Sequence, residues 1–114
     1  MEIEIASWLS DIKQAINEIN EFLPDRKEFL VFQKDTKTKR AIERNIEIIG
    51  EAVNRILKVD PHFPLANARR IVDTRNRISH GYDSVSDDII WAIVIREIPN
   101  LDIEISRLLD DFNS

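Results

Sequence analysis

Apolar residues recur at spacings of three and four along most of this chain, which is the signature of helices with one buried stripe. Ile5, Trp8, Leu9, Ile12, Ile16, Ile19 and Leu23 predict a first helix from about Ile3 to Phe22, ended by Pro24, which cannot continue a helix without losing a hydrogen bond. A short irregular or helical piece, Lys27 to Phe32, follows. Asp35 or Thr36 can cap the free amides of a second long helix that runs to about Lys58, with Ile42, Ile46, Ile49, Val53, Ile56 and Leu57 inward. Gly50 falls in its middle, where glycine costs about 1 kcal/mol relative to alanine, so another helix is expected to pass close there. Asp60 to Pro64 reads as a turn. A third helix is predicted from about Leu65, carrying Ala66, Ala68, Ile71, Val72 and Ile78 toward the core and ending near Gly81, a residue that accepts the left-handed conformation common past a helix end. Ser86 then caps a fourth helix, with Asp87 and Asp88 at its positive end.

That fourth helix opens with Ile89-Ile90-Trp91-Ala92-Ile93-Val94-Ile95, a run that periodicity alone could assign to a buried strand. The capping residues before it and the lack of any partner strand favour helix. A helix apolar all round needs cover on every side, so part of this run is expected to meet a second subunit. Pro99 is expected to kink or restart the helix, which continues through Leu101, Ile105, Leu108 and Leu109 to about Phe112. Two glycines, four prolines and no hairpin dipeptide complete a helical composition. The fold class is therefore all-α, a single-domain helical bundle of four to five helices over residues 1–114. A chain of this length buries roughly two-thirds of its unfolded surface, enough for one core.

The chain has no cysteine, which excludes disulfides and thiolate metal sites and fits a reducing compartment. Its start is acidic where a signal peptide is basic, and its longest apolar run is far short of the ~20 residues of a membrane helix, so a soluble, cytoplasmic protein is expected. The formal charge of −5 argues against generic nucleic-acid binding. The charge is uneven, however. Residues 66–82 hold Arg69, Arg70, Arg75 and Arg77 against Asp73, a local +3, so the remainder carries −8. An acidic body with one arginine-rich patch suits an anionic ligand bound in one place, or simply a charged helix surface.

No glycine-rich phosphate loop, no His-Glu-x-x-His and no metal-ligand spacing is present, and no metal or other cofactor is expected. His62, between two prolines, reads as a turn residue. The segment from Asp73 to Tyr82 is richer. Arg75 and His80 are five apart and would point ~140° from each other on an unbroken helix, but the helix is expected to end at about His80, where directions are freer. A histidine at a helix C-terminus gains from the dipole in its charged form, which suits it to trade protons near neutral pH. Taken alone, these residues have ordinary readings: Arg75 pairs with Asp73 or an acid on a neighbouring helix, His80 caps its helix, and Tyr82 packs with its hydroxyl in solvent.

Arg75-Asn76-Arg77-Ile78-Ser79-His80-Gly81-Tyr82 matches the Arg-x4-His-x-Tyr signature of the HepT branch of the HEPN superfamily, and Arg44-Asn45-Ile46-Glu47-Ile48-Ile49-Gly50-Glu51-Ala52 resembles that family's second-helix segment. The resemblance runs from about Ser7 to Leu109; the stretch from Ala66 to Arg70 fits it less closely. It implies an antiparallel HEPN-like bundle that dimerises so that two Arg/His motifs face one cleft. It also implies a metal-independent ribonuclease toxin, endoribonucleolytic or RNA-trimming, and a cognate nucleotidyltransferase antitoxin that transfers AMP onto the motif tyrosine, here Tyr82. RNA supplies its own nucleophile in the 2′-hydroxyl, so proton transfer and charge stabilisation suffice. His80 would be the acid or base, Arg75 would hold the phosphate and Asn76 would orient it, while Arg77 reads as a solvated or phosphate-steering charge rather than a catalyst. Asn45 and Glu51 read as helix-contact polar residues that support the site. The alternative is a HEPN module without useful cleavage that serves as a nucleotidyltransferase's partner, and beyond it a plain helical dimerisation protein.

Overall fold

A computed structural model describes residues 3–23, 28–66, 68–79 and 86–113, except the side chains of residues 69 and 77–79. The described residues form helices α1 (Ile3–Phe22), α2 (Phe29–Lys34), α3 (Thr36–Val59), α4 (Ala68–Ser79), α5 (Asp87–Ala92) and α6 (Ile98–Asn113), with a π-helical turn, Ile93–Glu97, joining the last two. No strand occurs among them, as an all-α fold requires. α1 has the predicted bounds, and its stripe of Ile5, Leu9, Ile12, Ile16 and Ile19 is buried. Of the two candidate caps for α3, Asp35 takes the role: Oδ1 accepts from the Thr38 amide at 3.0 Å and Oδ2 from the Thr38 hydroxyl at 2.6 Å. Those bonds hold its carboxyl below the usual carboxylate range. Ser86 caps α5 as expected, accepting from the Ile89 amide at 3.4 Å.

The long helix α3 packs against α1 on one side and α4 on the other, while α1 also packs on α6. Buried side chains from all of these join one apolar cluster. Ion pairs tie the layers at their margins: Lys13 of α1 to Asp102 of α6, and Lys39 of α3 to Asp87 of α5 at 3.2 Å.

Several expectations are refined or corrected. The short piece, left open as irregular or helical, is a helix from Phe29 to Lys34, and its Phe29 and Phe32 pack on Trp91 with ring centroids 5.9 and 5.1 Å away. Part of the apolar run on α5 is thereby covered within the chain, although Ile95 stays 40% exposed. Ala66 lies before α4 and is exposed rather than in the core. Pro99, by contrast, behaves as expected, at the point where an α-helix restarts after the π turn. It is the second residue of α6, and the wider π winding before it relieves the clash that proline makes with the carbonyl four residues back. Pro24 and Gly81, read as helix terminators, lie outside the described residues.

At Gly50, α4 lies close against α3. A Cβ at this position would run into Cβ of Arg75, stand 2.8 Å from its Cγ and 3.3 Å from the carbonyl oxygen of Ile71. The obstruction is the root of a side chain, which cannot swing away. Gly50→Ala is therefore expected to destabilise the fold by about 1–3 kcal/mol, although the same change in an open helix would stabilise it by about 1 kcal/mol. A thermal midpoint lowered by roughly 4–8 °C per kcal/mol checks the sign.

Candidate functional site

α4 carries the arginine-rich segment and has little apolar surface of its own, so specific contacts hold it. Ile71 and Ala68 are buried. Thr74 is buried too, which its hydroxyl tolerates by donating to the Arg70 carbonyl at 3.0 Å. Two carboxylates reach α4 and the residue before it from the last helical stretch of the chain. Glu97, in the π turn, accepts from Arg70 at 3.2 Å, and Glu104 of α6 accepts from the Ala66 amide just before α4 begins at 3.1 Å. Neither Arg70 nor these two acids was singled out from the sequence for such a role, since their pairing spans 27 and 38 residues.

Arg75 sits in the centre of this helix with its first carbons against Gly50. Its Nη1 donates to Oδ1 of the neighbouring Asn76 at 2.8 Å. Its Nε is buried and has no hydrogen-bond partner among the described residues. The ion pair with Asp73 that Arg75 would make on an ordinary reading is not present among them. The guanidinium is thus oriented by packing and by one amide, with donors left over. Asn76 spends its carbonyl on Arg75 and keeps its two amide protons. Beside it a hollow of about 480 Å³ opens between α4 and α5, lined by Arg70, Asp73, Thr74, Asn76 and Ile89.

Of the sequence-predicted site residues, the structure brings Arg75 and Asn76 together. Arg77 lies in α4, and its side chain is outside the described residues, as are His80 and Tyr82 altogether. His62 is exposed in its turn, its amide donating to Asp60 Oδ1 at 3.1 Å. Asn45 and Glu51, read as helix-contact polar residues, do lie where two helices meet. Both line a groove between α1 and α3, and neither bonds to α4: Asn45 Nδ2 donates to the Ala41 carbonyl at 3.0 Å, and Glu51 pairs with Arg55 at 3.0 Å. A helix pattern says that a residue faces a neighbour, but not which neighbour. Among the described residues no group of three or more His, Cys, Asp or Glu side chains could hold a metal ion, and no helix is long and apolar enough to cross a membrane.

An all-helical bundle that presents an oriented arginine–asparagine pair on a short helix is the class of protein this structure defines. The chain belongs to the ribonuclease HepT-like family, whose sequence profile matches residues 12–108. It is 33% identical over 112 residues to "Putative RNase MJ0127" of Methanocaldococcus jannaschii, covering 95% of this chain and 89% of that one. It is 35% identical over 98 residues to "Probable ribonuclease HepT" of Thermococcus cleftensis, covering 82% of this chain and 86% of that one. No solved structure matches the chain.

The margin where α5 meets α3 has a pH-sensitive group. Burial pushes the Glu43 carboxyl above its ordinary value of 4.5, with Asp87 and Glu47 adding to the rise and Arg40 and Lys39 opposing it. A carboxyl raised by folding disfavours the folded state in its charged form. That cost is absent below the unfolded value of 4.5 and fully present above the raised folded value. Glu43→Gln is therefore expected to raise the thermal midpoint at pH 7 and to leave it nearly unchanged at pH 4. A gain of equal size at both values would mean that its charge is not what burial opposes.

Proposed function

We propose that this chain is a metal-independent ribonuclease toxin of a toxin–antitoxin pair, cleaving RNA through Arg75 and His80 at the cleft of a homodimer in the cytoplasm. The observation that carries the reading is the state of Arg75. Its first carbons lie against Gly50, its Nη1 is held by Asn76, and its buried Nε is unpaired among the described residues, which costs roughly 1–3 kcal/mol until an acceptor arrives. A phosphate offers that acceptor in the planar geometry that the arginine fork matches. The relatives' printed names, which speak of RNases, support RNA as the source of the phosphate.

In this mechanism the RNA 2′-hydroxyl attacks the adjacent phosphorus and the 5′-oxygen leaves, so the protein contributes no nucleophile. Arg75 binds the non-bridging oxygens as charge builds on them. Asn76 holds the guanidinium and directs its own amide protons outward, and Arg77 adds positive potential. His80 takes a proton from the 2′-hydroxyl or gives one to the leaving oxygen, and His80 of the second copy serves the other step. A nucleotidyltransferase antitoxin would silence the site by placing AMP on Tyr82, two residues from His80, where its bulk and charge exclude the RNA phosphate.

A second reading, a HEPN module that binds a nucleotidyltransferase without cutting RNA, is favoured by the charge of −5. Expression without a partner separates the two. The wild-type chain should stop growth and shorten total RNA, while Arg75→Ala and His80→Ala should do neither, each lowering cleavage in vitro by about 10²-fold or more. Cleavage that persists at parental rate in both variants would remove these residues from the chemistry. Intact RNA with the wild-type chain, together with tight nucleotidyltransferase binding, would favour the module.

A further inference from the structure

The groove between α1 and α3 takes no part in that chemistry and has a character of its own. Its volume is about 320 Å³. Ala15 of α1 and Ala52 of α3, both buried, are too short to fill the space between the helices, and with Ile48 they give it an apolar floor. Its rim is acidic. Glu51 is engaged by Arg55, but Asp11 and Glu18 have no ion pair or hydrogen bond among the described residues. These two lie seven residues apart on α1, which is almost two full turns, so they share a face and are separated by ~10 Å along the axis.

An acidic rim alone would mark no more than a solvated surface. Asn45 is the independent observation. It lines the groove, is 5% exposed, and spends its Nδ2 on its own helix at Ala41. Its Oδ1 is buried with no hydrogen-bond partner. A buried acceptor left unpaired is unfavourable, so the group that completes it must be a donor. Two uncommitted carboxylates ask for positive charge at two points, and the apolar floor between them suits methylene groups.

We propose that this groove binds an extended aliphatic di- or polyamine. Its methylene chain lies on Ala15, Ile48 and Ala52, its ammonium groups meet Asp11 and Glu18, and an N–H donates to Asn45 Oδ1.

The test is calorimetric titration of the purified full chain with 1,4-diaminobutane and with spermidine at constant ionic strength, using butylamine and Mg²⁺ as comparators. RNA plays no part in it, so its result stands apart from the ribonuclease reading. The polyamines should bind stoichiometrically, and butylamine, with one ammonium, at least about tenfold more weakly. Glu18→Gln and Asn45→Leu should each weaken polyamine binding about tenfold or more. Circular dichroism melts report whether each variant folds; if Asn45→Leu does not, the partly exposed Glu18 decides. No binding, binding unchanged in the folded variants, or Mg²⁺ and butylamine binding as well as the polyamines would each overturn the proposal, the last by showing charge screening of an acidic chain. If no amine binds and Glu18→Gln alters the sedimentation mass, the groove is a contact between copies of the chain instead.

Discussion

The close approach of α4 to α3 at Gly50 governs how the rest of the molecule is arranged. A 12-residue helix with four arginines has too few apolar residues to be held by burial in general, and alone in water it would be marginal. Gly50 lets it sit deep enough that Ile71 and Thr74 are buried and the first carbons of Arg75 lie on the α3 backbone. The charged end of Arg75 is then confined rather than free to sample solvent, and Asn76 can hold it at 2.8 Å. A bulkier residue at position 50 would lift α4, and with it the orientation of the guanidinium. The helix propensity given up there, about 1 kcal/mol, is offset by what the approach makes possible.

Contacts remote in sequence complete the hold. Glu97 and Glu104 lie one beyond the other along the rod that ends the chain, and each reaches the α4 region with one carboxylate oxygen. The π turn widens the backbone just ahead of Pro99, so the rod carries both acids along one continuous helical course despite the proline. The second oxygen of each carboxylate is buried and unpaired among the described residues, which makes both acids sensitive to any shift of α4.

The long helices were legible because their apolar stripes repeat over many turns, and α1 matches its predicted bounds. The capping of α3 was legible as a choice between Asp35 and Thr36, and only the position of Thr38 relative to the carboxylate decides it. Gly50 was legible as a place of close approach, because a glycine amid Ile46, Ile49 and Val53 has no other local reason. What lay beyond the pattern was partnership between elements. Phe29 and Phe32 set where α2 lies by meeting Trp91, which belongs to a helix in the last third of the chain. Asn45 and Glu51 were read as helix-contact residues, but that the helix they face is α1 was not legible, since 3.6-residue periodicity fixes a face and leaves its neighbour open. The arginine–asparagine pair at 75 and 76 was named from a motif, but its geometry depends on Gly50, which stands on a different helix.

The acidic overall charge and the anion-binding role proposed for Arg75 are compatible once distance is considered. Exposed charges more than about 8 Å apart are largely screened at physiological ionic strength, so a phosphate at α4 would respond to the charges near it, four arginines against Asp73, Glu97 and Glu104, and not to the total. The acidic remainder then acts against loose binding of nucleic acid elsewhere on the surface. Of the four buried side-chain atoms without a partner among the described residues, two belong to Glu97 and Glu104, and the other two belong to the proposed sites. Arg75 Nε is a donor on the helix that carries four arginines, and Asn45 Oδ1 is an acceptor beside a carboxylate rim. In each place the unpaired atom has the same sign as its surroundings, so water or a neutral side chain relieves the cost only in part. A ligand of opposite charge relieves both the unpaired atom and the local field at once. That coupling is why two small features of a 114-residue helical chain point to ligands, and to ligands of opposite sign.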